Sequence, residues 1–382
     1  MKYKNMRKWV ALAISFLLFI PFININSKHV STVTNSGNIL YVGGDGEGNY
    51  TNIQDAINDA KDGDTIFVYS GVYYENVIVD KSISLIGENR NNTIIDGMSK
   101  ENVISLVTNG IKISNFTLRN SGKSKAGIAI YSANNSISNC NTFMNGYGIL
   151  LDSADNNRIW NCDTFSNSNG IKLDISSNNV IAGCNISDNG LGINMHASNK
   201  NCISDCTILN NEWEGISSRM DNGNTIFDCI ISSNLNGIYL YLSHYMVISN
   251  CSIISNEWSG MQVVYSVGNL VSKSNISHNI NGIEIGGSFN IVRGCNICNN
   301  KRGVVILYAF FNLIKKNNFI GNNLHATFYN SFFNRWSRNY WDDWWGLLPR
   351  PIIGKIIVAT MICNITIAPL LAFDCLPTIK PW

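Results

Sequence analysis

Charge is scarce in this sequence. Only 14% of its 382 residues are Asp, Glu, Lys or Arg, against about a quarter in ordinary soluble domains. The 28 basic residues almost cancel the 26 acidic ones, leaving a net charge of +2. Phosphate binding needs a concentrated basic face, so a nucleic acid is excluded as the main partner. Proline is equally thin, at 6 residues. Amphipathic helical periodicity is missing outside one short segment, which excludes a helical bundle. Low charge with many polar residues would fit a disordered tract, but 45% of the chain is hydrophobic, enough for a large core. What the chain has in excess is asparagine, with 58 copies.

The ends separate from the rest. Lys2, Lys4, Arg7 and Lys8 precede an apolar run from Trp9 to Ile23. That run is shorter than the roughly 20 residues of a spanning helix, so residues 1–30 are expected to be a secretory signal or an uncleaved N-terminal anchor. Either reading predicts export, to the periplasm, the cell surface or the medium, and the second attaches the protein to a membrane through this segment. Ile352 to Phe373 is also apolar, but Lys355 would fall inside the bilayer. Residues 346–382 are therefore expected to cap the fold.

Self-comparison gives a period near 22 residues. Gly-Ile-x-apolar and its variants recur at Gly127, Gly148, Gly170, Gly192, Gly215, Gly237, Gly260, Gly282 and Gly303, at spacings of 21 to 23. Cys140, Cys162, Cys184, Cys206, Cys229, Cys251 and Cys295 share one column, three residues after an Ile or Val. Asparagine now has an address. Asn135, Asn157, Asn179, Asn201, Asn224, Asn269, Asn290 and Asn312 stand five residues before the Cys column, with only Met246 interrupting. Asn145, Asn167, Asn189, Asn211, Asn234, Asn256, Asn279, Asn300 and Asn322 stand five after it, without exception. Two such columns mean stacked turns, in which each Asn takes a left-handed bend and its amide bonds the amide one layer away.

Short alternating segments between Asn and Gly turns predict three short strands per unit, each pairing with its copy in the next. The fold class is an all-β, single-stranded right-handed parallel β-helix of about twelve coils over residues 31–345. A capping helix is expected near 51–61, with Thr51 and Gln54 as a capping box. At the other end Trp336, Tyr340, Trp341, Trp344 and Trp345 are expected to close the last coil.

On these residues a family resemblance appears. Residues 39–97, beginning ILYVGGDGEGNYTNIQDAINDAKDGDTIFVYSGVY, resemble the opening of pectin-lyase-like right-handed β-helix proteins. The units SxxNxIxxCxIxxNxxGIxL and the closing NYWDDW resemble the NosD-type group of copper-binding periplasmic proteins with carbohydrate-binding and sugar-hydrolase repeats. The resemblance implies the fold and raises copper as a ligand. The Gly-x-x-Asp-Phe-Ile-Phe-Gly block of pectin methylesterases and the paired-Asp block of polygalacturonases are missing, which disfavours those activities.

The residues offer little for a metal. Alternation points the Cys column inward as small core thiols, and Cys202, Cys298, Cys363 and Cys375 lie outside it. The five His (His29, His196, His244, His278, His325) are scattered. The residues assign no cofactor, and the metal ligands stay unassigned. Copper through the resemblance, or calcium shared by two carboxylates, are the alternatives.

Chemistry concentrates on one outward face. After each repeat Gly the second and fourth residues face solvent. The fourth column reads Asp152, Asp174, His196, Arg219 and Tyr241, the candidate catalytic set. The second column carries Lys172, Asn194, Tyr239, Gln262 and Glu284 as candidate substrate-binding residues. Two coils hold an extra corner residue, placing Trp213 and Trp258 two layers apart, about 10 Å, where they could stack on sugar rings. Paired carboxylates near 5 Å could run retaining glycoside hydrolysis. Alternatively His196 or Tyr241 removes a proton beside a uronate carboxylate neutralised by Arg219, the chemistry of a lyase or epimerase. The sequence thus points first to a binder of extended polysaccharide or cell-surface glycan. An enzyme acting on such a polymer, and a copper-delivery accessory or plain structural rod, are the alternatives.

Overall fold

The computed structural model describes residues 37–345, 348–359 and 364–382. The N-terminal apolar segment and Cys363 lie outside the described residues. From Tyr147 to Ile320 each coil holds one six-residue strand followed by two of three residues, while the coils before it use strands of three to five. Tyr147–Asp152, Arg158–Trp160 and Asp163–Phe165 make one coil, and Asn169–Asp174, Val180–Ala182 and Asn185–Ser187 the next. Every strand pairs in parallel with its copy one repeat on, so Ile149, Ile171 and Ile193 stand in one row. The result is a right-handed parallel β-helix. Its last strand column has 13 members, one coil more than the repeat suggests, because Tyr340–Trp341 closes a final coil.

The inward columns explain why these residues fold this way. Ile149, Ile171, Ile193 and Ile216 are fully buried, and so are Cys140, Cys162 and Cys184. Burial of identical branched side chains in register fixes both face and register, since a one-residue slip would turn each row to water. The repeat glycines answer a steric demand. A Cβ on Gly192 would lie 2.4 Å from the carbonyl oxygen of Gly215 in the next coil.

Both asparagine ladders form. Asn189 Nδ2 donates to Asn211 Oδ1 at 3.1 Å, and the Asn189 backbone N–H donates to the same oxygen at 3.1 Å. Asn211 repeats the pattern onto Asn234. One expectation is corrected here: the ladder residues do not themselves take the left-handed bend. The residue before each does, as at Asn134, Asn156, Asn178, Ser166, Asp188 and Asn210, all at φ between 53° and 61°. The ladder amide then satisfies the backbone donors that the bend turns inward.

The ends are closed by unlike devices. The helix α1 is Ile53–Asp59, shorter than expected, and Asn52 at its N-cap makes no side-chain capping bond. The capping box of Thr51 and Gln54 is absent. Instead the Glu75 carboxylate accepts the N–H groups of Ile53 and Gln54 at 2.8 and 3.0 Å. That frees Gln54 to pair with the backbone of Ile78, which would otherwise be an open strand edge. At the far end, strands Arg350–Ala359 and Asn364–Asp374 form an antiparallel hairpin, joined to the last coils at Tyr329 and Trp336. Buried Asp374 accepts from Asn339 Nδ2 at 2.9 Å and Trp341 Nε1 at 3.1 Å, ending a side-chain ladder. Trp336 and Trp341 are buried, but Trp345 is 90% exposed and does not close the coil.

Candidate functional site

The fourth-position column is one continuous row. Register pairs Asp152 with Asp174, Asp174 with His196, His196 with Arg219 and Arg219 with Tyr241. Neighbours are therefore about 4.8 Å apart along the stack. The second-position row runs beside it, with Lys172, Asn194, Ser217, Tyr239, Gln262 and Glu284 in register. Ile171 and Leu173 are buried while Lys172 and Asp174 are half-exposed; the alternation lapses at Ser217, which is buried in its strand.

Asp174 is the electrostatic centre. Its Oδ1 lies 2.9 Å from His196 Nδ1 and its Oδ2 3.4 Å from Lys172 Nζ. Partial burial works to raise its carboxyl, but the His196 hydrogen bond and the Lys172 ammonium outweigh it and hold it below the ordinary carboxylate range. A carboxylate only accepts, so His196 Nδ1 carries a hydrogen; in the neutral ring Nε2 then keeps its lone pair. Asp152 receives the Ser153 hydroxyl at 3.2 Å.

Arg219 and the tyrosines form a second cluster one and two coils on. The Arg219 guanidinium lies 5.6 Å from the Tyr239 ring centre, a cation–π distance. Tyr239 and Tyr241 stack at 6.4 Å, and Tyr265 meets Tyr241 edge-on at 6.1 Å. Further along, Gln262 and Asn281 both donate to Glu284, at 2.9 and 3.0 Å.

Two residues were missed by sequence reasoning. Glu214 begins the strand that ends at Arg219. Burial raises its carboxyl above the ordinary range, against the pull of Arg219. Asp221 lies just beyond Arg219 and is 1% exposed. Its carboxylate accepts from Ser218 Oγ at 2.6 Å and from the Ser198 N–H at 2.7 Å. Burial, opposed by those bonds, pushes it up to about 6. The signal existed: Asp221 interrupts the small-residue column Ala154, Ser176, Ser198, Ser243 and Ser266.

Trp213 and Trp258 are not part of the row. Both are about half exposed, 51% and 47%, and sit at the opposite edge of the strands. Trp213 is six residues from Arg219, about 20 Å along an extended chain. It overhangs a groove of about 810 Å³ lined also by Ser166, Ser168, Asp188, Asn210 and Glu212.

A coil stack with one chemically mixed outward face defines a class, the right-handed β-helix proteins. Family models place the chain within it. One described as right handed beta helix region matches residues 192–339, and one described as periplasmic copper-binding protein (NosD) matches residues 57–228. Neither match spans half of the chain; with the fold, the two support its resemblance to pectin-lyase-like right-handed β-helix proteins with repeats of the NosD type. Among solved structures it is similar to DFA-IIIase from Arthrobacter chlorophenolicus A6 in complex with GF2, at 11% identity and TM-score 0.58, covering 81% of this chain and 96% of that one. It is also similar to the A-module of the Azotobacter vinelandii mannuronan C-5 epimerase AlgE4, at 15% identity and TM-score 0.50, covering 77% and 99%. The Dettilon tailspike protein is similar at 14% identity and TM-score 0.51, covering 81% and 70%. No curated protein matches.

Copper, which the NosD model raises, does not fit the donors present. The column thiols are buried, and contact with Cys184, then burial, push the Cys206 thiol up to about 12. Among the described residues one group has metal-ligand spacing, His325 with Asp342 and Asp343. There the Asn322 amide is oriented by its ladder, its Oδ1 accepting from Asn300. Its Nδ2 therefore donates to His325 Nδ1 at 3.1 Å, so Nδ1 must accept. The hydrogen of neutral His325 is then on Nε2, 2.7 Å from Asp342, where a metal would need a lone pair. Arg350 already pairs with Asp343. Calcium fares no better at Asp152 and Asp174, since both Asp174 oxygens are engaged and six to eight oxygens are needed.

Proposed function

We propose that the protein is exported and binds an extended polysaccharide across the outward face of its six-residue strands. The observation that carries this reading is the in-register row from Asp152 to Tyr241, five polar side chains of four kinds on five coils. A row of this kind meets a repeating linear polymer one unit after another. Tyr239 and Tyr241 supply apolar rings with polar ends, while Lys172 and Arg219 supply cations for acidic sugars. The groove under Trp213 extends the same contact to the strand's other edge. Solved structures with this fold include one in complex with GF2 and a mannuronan C-5 epimerase, which supports a carbohydrate ligand.

Glycan-array binding tests the reading. Binding should survive His196→Ala and fall about tenfold or more when Trp213 and Trp258 are both replaced by Ala, each exposed aromatic contact contributing ~1 kcal/mol. An array that stays blank for the wild type sinks it.

A second reading is favoured by the Asp174–His196 pair. An imidazole oriented by a carboxylate, with a cation and a phenol in the following layers, is equipped to take the proton beside a uronate carboxylate. Lyase or epimerase chemistry follows from it. In the hydrolase version Asp174, held ionised by His196 and Lys172, would be the nucleophile and Asp152 the acid.

A further inference from the structure

The last coils carry a surface that the site above does not use. The corner after each long strand takes φ near +60°, and from Asn134 on half of the coils fill it with Asn134, Asn156, Asn178, Gly223 or Gly268, with Lys200 and Tyr245 in two more. Three coils instead place Phe289, Phe311 and Phe333 there, at φ 59°, 58° and 58°. A bulky residue at positive φ is unfavourable, so packing or function must hold it. Packing into the core does not, since the three rings are 57%, 51% and 75% exposed. They stack on one another at 5.3 Å, with interplanar angles of 18° and 10°. Phe310 and Phe332 form a second exposed stack beside them at 6.1 Å. Rings that cover each other's faces present edges outward, which suits an apolar medium better than a sugar seeking a ring face.

The same face carries unpaired cations. Arg293 and Lys315 stand in one outward row, with Arg335 in the row beside the Phe corner. Lys273, Lys316 and Arg338 occupy the next corner, all at positive φ, as is Gly294, which takes the place of a cation in the coil between Lys273 and Lys316. None of these six forms an ion pair among the described residues. Between residues 258 and 341 the chain has eight Lys and Arg against one acid, Glu284. Residues 37–257 are the reverse, with 22 acids and 12 bases.

We propose that this face docks the protein on an anionic phospholipid surface. The Phe edges enter the boundary between headgroups and acyl chains, and the cations pair with lipid phosphates. An anionic polymer would meet the cations but leave the phenylalanines in water. An apolar protein partner would cover the rings and leave the cations without acidic partners, Lys316 alone lying over a ring, that of Trp382 at 4.2 Å. A cleft of about 430 Å³ beside Phe311 and Phe333, reaching Phe373 and Leu376, continues the apolar surface onto the hairpin. Tyr241, the last of the mixed row, lies two coils before the Phe289 corner and stays free.

Flotation of the full chain with phosphatidylcholine vesicles, with and without phosphatidylglycerol, tests the proposal. Wild type should float with the anionic vesicles, and added salt should weaken this. Phe311→Asn with Phe333→Asn restores the residue type the corner accepts elsewhere, so folding is preserved while binding is lost. Arg293→Ser with Lys315→Ser should weaken binding about thirtyfold. Wild type that fails to float overturns the proposal. So does equal flotation of both variants, which would place the binding in the N-terminal segment. Loss of binding to an anionic polysaccharide or oligonucleotide with vesicle binding intact overturns it too.

Discussion

His196 turns its Nδ1 onto Asp174 Oδ1, 2.9 Å away in the preceding coil. The contact joins two residues that register alone would leave merely adjacent, and it sets the hydrogen on one ring nitrogen.

Asp174→Asn separates binding from catalysis. A half-exposed ion pair contributes ~1 kcal/mol at most, so glycan affinity by titration calorimetry should stay within about fivefold. Turnover of an anionic polysaccharide, where the wild type shows it, should fall by about 10²–10⁴. Unchanged turnover removes the pair from any mechanism.

The ladders are expected to be the most sensitive surface-independent element. Asn211→Ala leaves the backbone and side-chain N–H groups of Asn189 without their acceptor in a buried corner. The cost should be about 2–4 kcal/mol, read as a lower urea midpoint. A midpoint shift under the error of the measurement would show that water replaces the amide.

Asp221 gives stability a pH dependence of definite sign. Its folded-state value, about 6, lies above the ordinary carboxylate value of 3.8. The folded state therefore holds its proton more tightly, and stability falls as pH rises between those values. Asp221→Asn keeps an acceptor for the Ser198 N–H and a donor for Ser218. It should stabilise the protein by about 3 kcal/mol above pH 7 and hardly at all near pH 4. Denaturation curves at both pH values check this, and an equal gain at both contradicts it.

Metal removal should do nothing to the fold. Because His325 Nε2 carries its hydrogen toward Asp342, chelators should leave the thermal midpoint unchanged, and one equivalent of copper should not raise it. A rise of several degrees with copper would show that the cluster rearranges to bind it.

Much of this was legible because the chain repeats. Gly, Cys and Asn each mark a place where one coil's backbone meets the next, so spacing alone recovers the strands, the register and the two outward rows. The left-handed corners were misplaced by one residue, since spacing cannot separate the residue that bends from the one whose amide serves the bend. The capping box failed for another reason: Glu75 is 21 residues from Gln54 and reaches α1 only through the fold. Asp221 was visible as an outlier in its small-residue column, while Glu214 stands in a mixed one, and the burial of both depends on the coils above and below. Trp213 and Trp258 marked their coils by the extra corner residue, but their half-exposure and their separation from the row by the length of a strand are set by the fold.

The uniform corners have a genetic consequence. Because Asn189, Asn211 and Asn234 meet the same neighbours in every layer, an unequal crossover that duplicates or deletes one whole repeat would leave each new junction identical to an old one. The lineage can therefore lengthen or shorten its outward row in single-coil steps and vary each position separately, with the scaffold indifferent to the change.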